Sequence, residues 1–398
     1  MALRGFFESA LNGETMPRLD RLPPYLFTAI DQAKRSAIAA GKDVVDLGIG
    51  DPDMPTPAEL VAVMAKAITS SANHQYPDNK GSESFRNICA AWFEKRFGVK
   101  IDSDKHVLAL IGSKEGLAHL PLALLDEGDE VLIPDIGYPV YTSSTLLAGG
   151  NPVEFPLSET DGFIPQVEAI SKLVTDKTRL LHMNYPNNPT GAVADGELFK
   201  QMADLAAEKD FVLSNDAAYI EVNLDDSKPV SLLQYSDIEA QPVIEFHSLS
   251  KMFNMTGWRV GFAVGNEQVI SALNKVKQNI DSGIFTAVQQ TAEYALGDKF
   301  DDLIAQVMAP YIQRKKVIMD ALTEAGVSVF ATNSTFYVWA KVPTDETSMA
   351  FCARMLKEKD LVVTPGNGFG TGGEGWFRIS LTAADSRIDE AALRLRSL

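Results

Sequence analysis

From His106 to Val264 the chain repeats one pattern: a short apolar run, a brief turn, then a helix-length stretch. The runs are His106-Val-Leu-Ala-Leu-Ile111, Glu130-Val-Leu-Ile-Pro134, Arg179-Leu-Leu-His-Met183, Phe211-Val-Leu-Ser-Asn215, Pro242-Val-Ile-Glu-Phe246 and Val260-Gly-Phe-Ala-Val264. Buried strands alternating with helices over short connections predict an α/β fold, a mostly parallel sheet covered on both faces. After about Gln268 the pattern turns helical. Near Val327 it becomes α+β, with strands expected around Thr335–Ala340, Leu361–Thr364 and Trp376–Ser380. A chain of 398 residues accommodates one large domain and one smaller one. The expected division is an N-terminal arm and helix over 1–45 that joins the smaller domain, a large domain over 46–285, and the rest of the small domain over 286–398.

Composition removes several classes of function. A formal net charge of -17 argues against a nucleic-acid or anionic-membrane surface. No apolar run reaches membrane-spanning length, and the acidic, polar first fifteen residues do not read as a signal peptide. A cytoplasmic protein is expected. Cys89 and Cys352, the two cysteines, sit in helix-like apolar segments and read as core thiols. The five histidines show no close metal-ligand spacing, so no metal site is expected. Gly48 and Gly50 begin a glycine pattern, but Asp53 stands where a third glycine is needed, which leaves the dinucleotide reading weak. Gly366–Gly373, with no helix after it, reads as a mobile loop.

In an open α/β sheet, ligands sit at the carboxyl ends of the strands. Followed in order, those ends present Asn188, then Asp216 with Tyr219, then Ser248, Ser250, Lys251 and Arg259. The strand before Gly112-Ser-Lys-Glu-Gly116 opens into a helix, whose free N–H groups and dipole of about half a positive charge suit an anion. Each residue alone has a plain reading. Asp216 can cap a turn, Asn188 can turn the chain before Pro189, Tyr138 can be core, and Lys251 and Arg259 can be solvated. Together they describe a site for pyridoxal phosphate. Lys251 supplies a Schiff-base amine, kept neutral by nearby positive charge. Asp216 keeps the ring nitrogen protonated, Tyr219 and Asn188 donate to the ring oxygen, and Tyr138 stacks on the ring. Ser113, Lys114, Ser248, Ser250 and Arg259 neutralise the phosphate.

These residues fall within Asn187-Asn-Pro-Thr-Gly191, Asp216-Ala-Ala-Tyr219, Ser248-Leu-Ser-Lys251, Gly257-Trp-Arg259 and Phe377-Arg-Ile-Ser380. In them the chain resembles the fold-type I pyridoxal-phosphate aminotransferases of the aspartate aminotransferase superfamily, from about residue 21 to the end. The resemblance implies a large domain with a mostly parallel seven-stranded sheet between helices, plus a smaller α+β domain. It makes Lys251 the cofactor lysine and proton shuttle, and Arg378 the ligand of the substrate α-carboxylate, for which a planar guanidinium is suited. Gly48 is implied to let the chain approach the substrate. Tyr76 is implied to reach the phosphate of a neighbouring subunit, which makes a homodimer with shared active sites.

Leu47-Gly-Ile-Gly-Asp-Pro-Asp53, Ile111-Gly-Ser-Lys-Glu-Gly-Leu-Ala-His-Leu-Pro-Leu122 and Asp281-Ser-Gly-Ile-Phe285 are more similar to the bacterial LL-diaminopimelate aminotransferases. The alanine-type branch shares the Gly-Ser-Lys-Glu-Gly and Asn-Met-x-Gly-Trp-Arg signatures, and the Asp281–Phe285 stretch favours the first. The arginine that aspartate aminotransferases carry near here for a distal carboxylate is absent. For a distal ammonium and carboxylate the candidates are Tyr25, Glu115, Tyr141 and Asn279, with Glu115 preferred. The implied reaction moves an amino group from LL-diaminopimelate to 2-oxoglutarate by a ping-pong mechanism, and its keto product would cyclise to tetrahydrodipicolinate, in lysine biosynthesis. The alternatives are an alanine-type aminotransferase and a β-eliminating lyase of the same fold. A regulator that fuses this fold to a DNA-binding module is disfavoured by the acidic charge and by the lack of an extra helix-turn-helix.

Overall fold

A computed structural model describes residues 19–23 and 26–398, and of residues 26–29 the backbone alone. After the helix Leu26–Ala39, a two-residue strand β1 (Val45–Asp46) leads towards the central sheet. That sheet comprises β2 (Val107–Leu110), β3 (Glu130–Pro134), β4 (Asn151–Phe155), β5 (Thr178–Met183), β6 (Val212–Asp216), β7 (Val243–Ser248) and β8 (Gly261–Gly265). Its spatial order is β2-β8-β7-β6-β5-β3-β4. β4, β3, β5, β6 and β7 pair in parallel, whereas β8 runs antiparallel to both β7 and β2. The expected mostly parallel, seven-stranded sheet is present. β4 was not expected from the sequence, because Pro152 interrupts its strand pattern. β4 pairs with β3 alone, and at an edge a missing N–H leaves no gap in the ladder.

Both faces are buried, as the near-continuous apolar strands require. One face packs Leu181, Leu213 and Phe262 against Phe85, Trp92 and Phe93 of the helix Glu83–Phe97. The other packs Leu108, Ile133 and Ile244 against the helices Ser113–Leu124, Val140–Ala148 and Glu267–Ile280. Local signals fix where these helices start. Ser82 accepts the Phe85 N–H, Asp195 accepts that of Leu198, and Asn266 accepts that of Gln268.

The remaining strands are β9 (Val329–Phe330), β10 (Tyr337–Lys341), β11 (Leu361–Val362), β12 (Thr364–Pro365) and β13 (Trp376–Ser380). β12-β13-β10-β9 form a four-stranded antiparallel sheet, and β11 pairs in parallel with β1. Their core contains Tyr337, Phe351 and Phe377, and it takes in Ile318 and Leu322 of the helix Phe300–Glu324. The larger core extends past the expected boundary at 285. Val288, Ala292, Leu296, Phe300 and Leu303 belong to it, because the helix Thr286–Leu296 lies on the helices Ala58–Ala67 and Glu83–Phe97. The expected mobile loop is instead two short 3₁₀ turns, Gly366–Phe369 and Thr371–Gly373. The Gly137 N–H donates to Phe369 O at 2.8 Å, and at Gly370 (φ 128°) any side chain would collide with the Asp135 carbonyl. Among the described residues no helix is long and apolar enough to cross a membrane.

Candidate active site

The carboxyl ends of the parallel strands open into a cavity of about 360 Å³. It is lined from the large sheet by Asp216, Tyr219, Ser248, Ser250, Lys251 and Arg259, and from the smaller unit by Tyr337 and Arg378. Ser113, Lys114, Tyr138 and Asn188 also line it. Residues distant in sequence thus converge because β5, β6 and β7 end side by side, with Asp216 opposite Phe246 in the β6–β7 register.

At one end lies the open N-terminus of the helix Ser113–Leu124. Its N-cap is Gly112 (φ 94°), which offers no side-chain cap, so the first N–H groups face the cavity end uncapped. A Cβ at Gly112 would come within 2.6 Å of the Arg259 guanidinium, so glycine lets the cation lie against the helix start. Arg259 itself has a left-handed backbone (φ 56°) and donates through Nη1 to Thr256 O at 2.8 Å. Helix N–H groups, Arg259, Lys114 and the Ser248 and Ser250 hydroxyls form a donor set that fits a phosphate dianion. Lys114 also lies 5.4 Å from the Tyr138 ring centroid.

In the middle are Asp216 and Lys251. Asp216 is buried, accepting from the Tyr141 hydroxyl at 2.9 Å and the Ala218 N–H at 3.3 Å. Burial lifts its carboxyl to about 6, against the opposing pull of those two donors. No cation pairs with it directly among the described residues, so it fits a protonated ring nitrogen. The Lys251 ammonium donates to Gly50 O at 3.0 Å. Burial brings it down to about 8, Asp51 acts in the opposite direction, and Arg378 and Arg259 add to the lowering. Tyr138, half-buried, is pushed up to about 12 chiefly by burial.

At the other end Arg378, 2% exposed, donates to Asn188 Oδ1 and to Gly48 O, both at 2.8 Å. Its Nε has no hydrogen-bond partner among the described residues. A buried guanidinium with an unpaired N–H is poised for a carboxylate. Asn188 is held in turn: its N–H donates to Asn184 Oδ1 at 2.8 Å, and Asn184 Nδ2 donates to Asp216 O at 2.7 Å.

Several expected site residues lie elsewhere. Glu115 does not line the cavity. Its buried carboxylate accepts from the Ile111 N–H at 2.9 Å, pairs with His119 Nδ1 at 2.9 Å, and meets the fully buried Lys277 ammonium at 3.2 Å. The helix starts at Ser113, so its third residue turns back towards the sheet instead of towards the cavity. Asp281 joins the same cluster, 2.8 Å from Lys277. Glu115, His119 and Asp281 could together ligate a metal, but the Lys277 ammonium occupies the place of the cation. Tyr141 lies behind Asp216, stacked on His182, and not on the cavity wall. Asn279 is exposed and donates to Lys275 O at 2.7 Å. Gly48 contributes its carbonyl to Arg378, while Ile49, Gly50 and Asp51 form the adjoining wall. Tyr76 is 90% exposed, outside the cavity of its own chain. Tyr25 lies outside the described residues.

Tyr337 and Asn184 line the cavity without having been expected there. Asn184 had a signal, since it ends strand β5 as Asp216 ends β6. Tyr337 had none, because an aromatic residue in a strand reads as core.

The chain belongs to the class I and II aminotransferases, whose family model matches residues 42–395. It is a pyridoxal-phosphate-dependent transaminase of fold type I. Among proteins of known function it is 45% identical over 385 residues to an LL-diaminopimelate aminotransferase of Aquifex aeolicus, covering 97% of this chain and 99% of that one. It is 46% identical over 382 residues to an LL-diaminopimelate aminotransferase of Nitratidesulfovibrio vulgaris, covering 96% and 98%. Among solved structures, substrate-bound BacF from Bacillus subtilis superposes with a TM-score of 0.90 at 34% identity, covering 96% of this chain and 97% of that one.

Proposed function

We propose that this aminotransferase takes LL-diaminopimelate as amino donor and 2-oxoglutarate as acceptor, in the cytoplasm, as a step of lysine biosynthesis. The observation that carries the reading is the name shared by the relatives that match at 44–46% identity over nearly the whole chain. Bound pyridoxal phosphate supplies an electron sink for the pair left when the substrate α-carbon loses its proton. The uncapped helix start at Ser113, with Lys114, Ser248, Ser250 and Arg259, would hold its phosphate. Asp216 would hold the ring nitrogen, and Tyr138 would cover the ring.

Arg378 binds the substrate α-carboxylate and so orients the α-carbon towards Lys251. Lys251 Nζ takes the α-proton and later returns it. An amine that titrates near 8 is a competent base and acid close to neutral pH. Asn188 keeps the Arg378 plane fixed, and Tyr219 would donate to the ring oxygen of the bound cofactor. The exposed Tyr76 serves the site of a second copy, so the working form is a homodimer with shared sites. Glu115 has no place in distal recognition within its own subunit.

The test offers the loaded protein one amino acid at a time, without any keto acid, and follows the visible absorbance. LL-diaminopimelate and glutamate should convert the spectrum and alanine should not. Conversion by alanine with none by LL-diaminopimelate would move the chain to the alanine-type branch. Sedimentation as a monomer at micromolar concentration would remove the shared-site part.

A further inference from the structure

Tyr337 stands where three parts of the cavity meet. It is the first residue of β10, paired with Ser380 at the end of β13. Its hydroxyl lies 2.8 Å from that of Tyr219, and either can be the donor. Its ring lies 4.1 Å below the Arg378 guanidinium carbon. On the third side the chain passes so close that any side chain at Gly50 would strike the Tyr337 hydroxyl. Phe336 packs edge-on against both tyrosines, 5.5 Å from the Tyr219 ring and 5.1 Å from the Tyr337 ring. Thr335, just before them, is a buried β-branched residue with φ 64°, and its Oγ1 accepts the Tyr337 N–H at 3.2 Å. Such a residue rarely adopts that backbone, so the surroundings must hold it there. Strand pairing, the Tyr219 hydroxyl, Arg378, the close pass at Gly50, the Phe336 ring and Thr335 Oγ1 together position Tyr337.

Each hydroxyl has one proton, so the pair has two arrangements. If Tyr219 donates to Tyr337, nothing is left for Tyr219 to donate into the cavity. If Tyr337 donates to Tyr219, the Tyr219 proton is free to point at a ligand. The place of Arg378, directly over the Tyr337 ring, favours the second. Arg378 lies over the Tyr337 ring and draws electron density from its phenol, which strengthens that O–H as a donor. Burial first, and then Tyr337, hold the Tyr219 hydroxyl well above the ordinary phenol range; Arg378 acts in the opposite direction and Asp216 adds a smaller rise. Lys251 and Tyr138 line the same cavity as the pair.

We propose that Tyr337 is a positioning residue that orients the Tyr219 hydroxyl into the cavity and strengthens it as a donor to the cofactor's ring oxygen. This rests on the assignment of Tyr219 under the proposed function. A hydrogen bond received by a hydroxyl strengthens the one it gives, by roughly 10–30%.

A donor on the ring oxygen withdraws charge from it and lowers the proton affinity of the nitrogen joined to Lys251. Weakening that donor should therefore raise the pH midpoint of the visible absorbance of the loaded, substrate-free protein. For Tyr337→Phe the expected rise is roughly 0.1–0.7 pH unit. Tyr219→Phe removes the donor itself and should raise the midpoint further. Tyr337→Leu also removes the ring beneath Arg378, so it should add a rise of about fivefold in KM for the amino acid. If Tyr219→Phe leaves the midpoint in place, the assignment of Tyr219 fails and takes this proposal with it. If Tyr219→Phe moves the midpoint and Tyr337→Phe does not, the proposal alone is overturned. A KM rise in Tyr337→Phe without a midpoint shift would likewise overturn it, since Tyr337 would then act through Arg378.

Discussion

Replacing Lys277 by methionine separates the two accounts of Glu115. The Lys277 side chain is fully buried between the helix that contains it and the helix Ser113–Leu124. Its ammonium lies 3.2 Å from Glu115 Oε2, and 2.8 and 2.9 Å from the two Asp281 oxygens. Methionine keeps the stem and removes the charge, leaving two carboxylates without their cation. Breaking a buried pair from one side costs about 3–5 kcal/mol. The Asp281 side chain is 19% exposed and regains some water, which puts the expected loss near the lower end, about 3 kcal/mol. At 398 residues the entropy of unfolding converts this to a fall of about 3–4 °C in Tm. The assay is thermal and urea unfolding at saturating cofactor, which keeps ligand binding constant between variants. Glu115→Gln alone should also destabilise, while the double variant should recover about 1–2 kcal/mol of the summed losses, because the two groups act as one unit. A direct contact between Glu115 and a distal substrate ammonium would give a different pattern: a raised KM for LL-diaminopimelate, unchanged stability and no coupling to Lys277. A Lys277→Met protein whose Tm lies within 1 °C of the parent, with additive losses in the double variant, would refute the buried-cluster reasoning.

Two further outcomes follow from the cavity. Asp216 has a folded-state value of about 6 against 3.8 unfolded, so the folded chain holds the extra proton between those values. In the cofactor-free protein its contribution is therefore most favourable below about pH 4, and about 3 kcal/mol is lost as pH rises through 6. Asp216→Asn removes that loss, so in urea unfolding the variant should gain on the parent between pH 4 and pH 7; a constant difference would contradict the burial argument. Arg378→Lys cannot donate to Asn188, to Gly48 and to a planar carboxylate at once, and steady-state kinetics should show KM for the amino acid raised about 30–100-fold. A change under threefold would remove Arg378 from carboxylate binding.

The part of this site that was legible in the sequence is the part that follows strand ends. Asn188, Asp216, Ser248 and Lys251 each come just after a buried apolar run, and parallel strands deliver such positions to one edge whatever the helices do. Glu115 shows where that logic stops. It sits two residues from the Ser113 helix start, but a helix turns by about 100° per residue, so neighbours in sequence face different environments. Its destination depended on Lys277, 162 residues away, which gave no local sign of being buried. Tyr141 misled in the same way: its hydroxyl serves Asp216 from behind. The larger core continues past 285, since a helical pattern does not reveal which core its apolar face joins. The Gly366–Gly373 segment read as mobile because glycine signals freedom, whereas here it permits close approach to Asp135.

The same division between local and distant causes governs the Lys251 amine. Sequence reasoning assigned its neutrality to the neighbouring cation, since Arg259 is eight residues away. In the folded chain burial is the leading cause, and Arg378, more than a hundred residues later, stands with Arg259 behind it. Asp51 pulls the other way, and it belongs to the Ile49–Asp51 wall. The amine is therefore set by how well the cavity excludes water, and the wall that excludes it also contributes the opposing charge. On the proposed assignment, a ligand that completes that wall deepens the desolvation, its phosphate meeting Arg259 and its carboxylate Arg378. A chain with a net charge of -17 can bind such anions because these cations sit in a cavity, where they are screened far less than the acidic surface. Basicity at Lys251 and anion binding at the two arginines thus depend on one physical condition, the closure of a single cavity by both units of the fold.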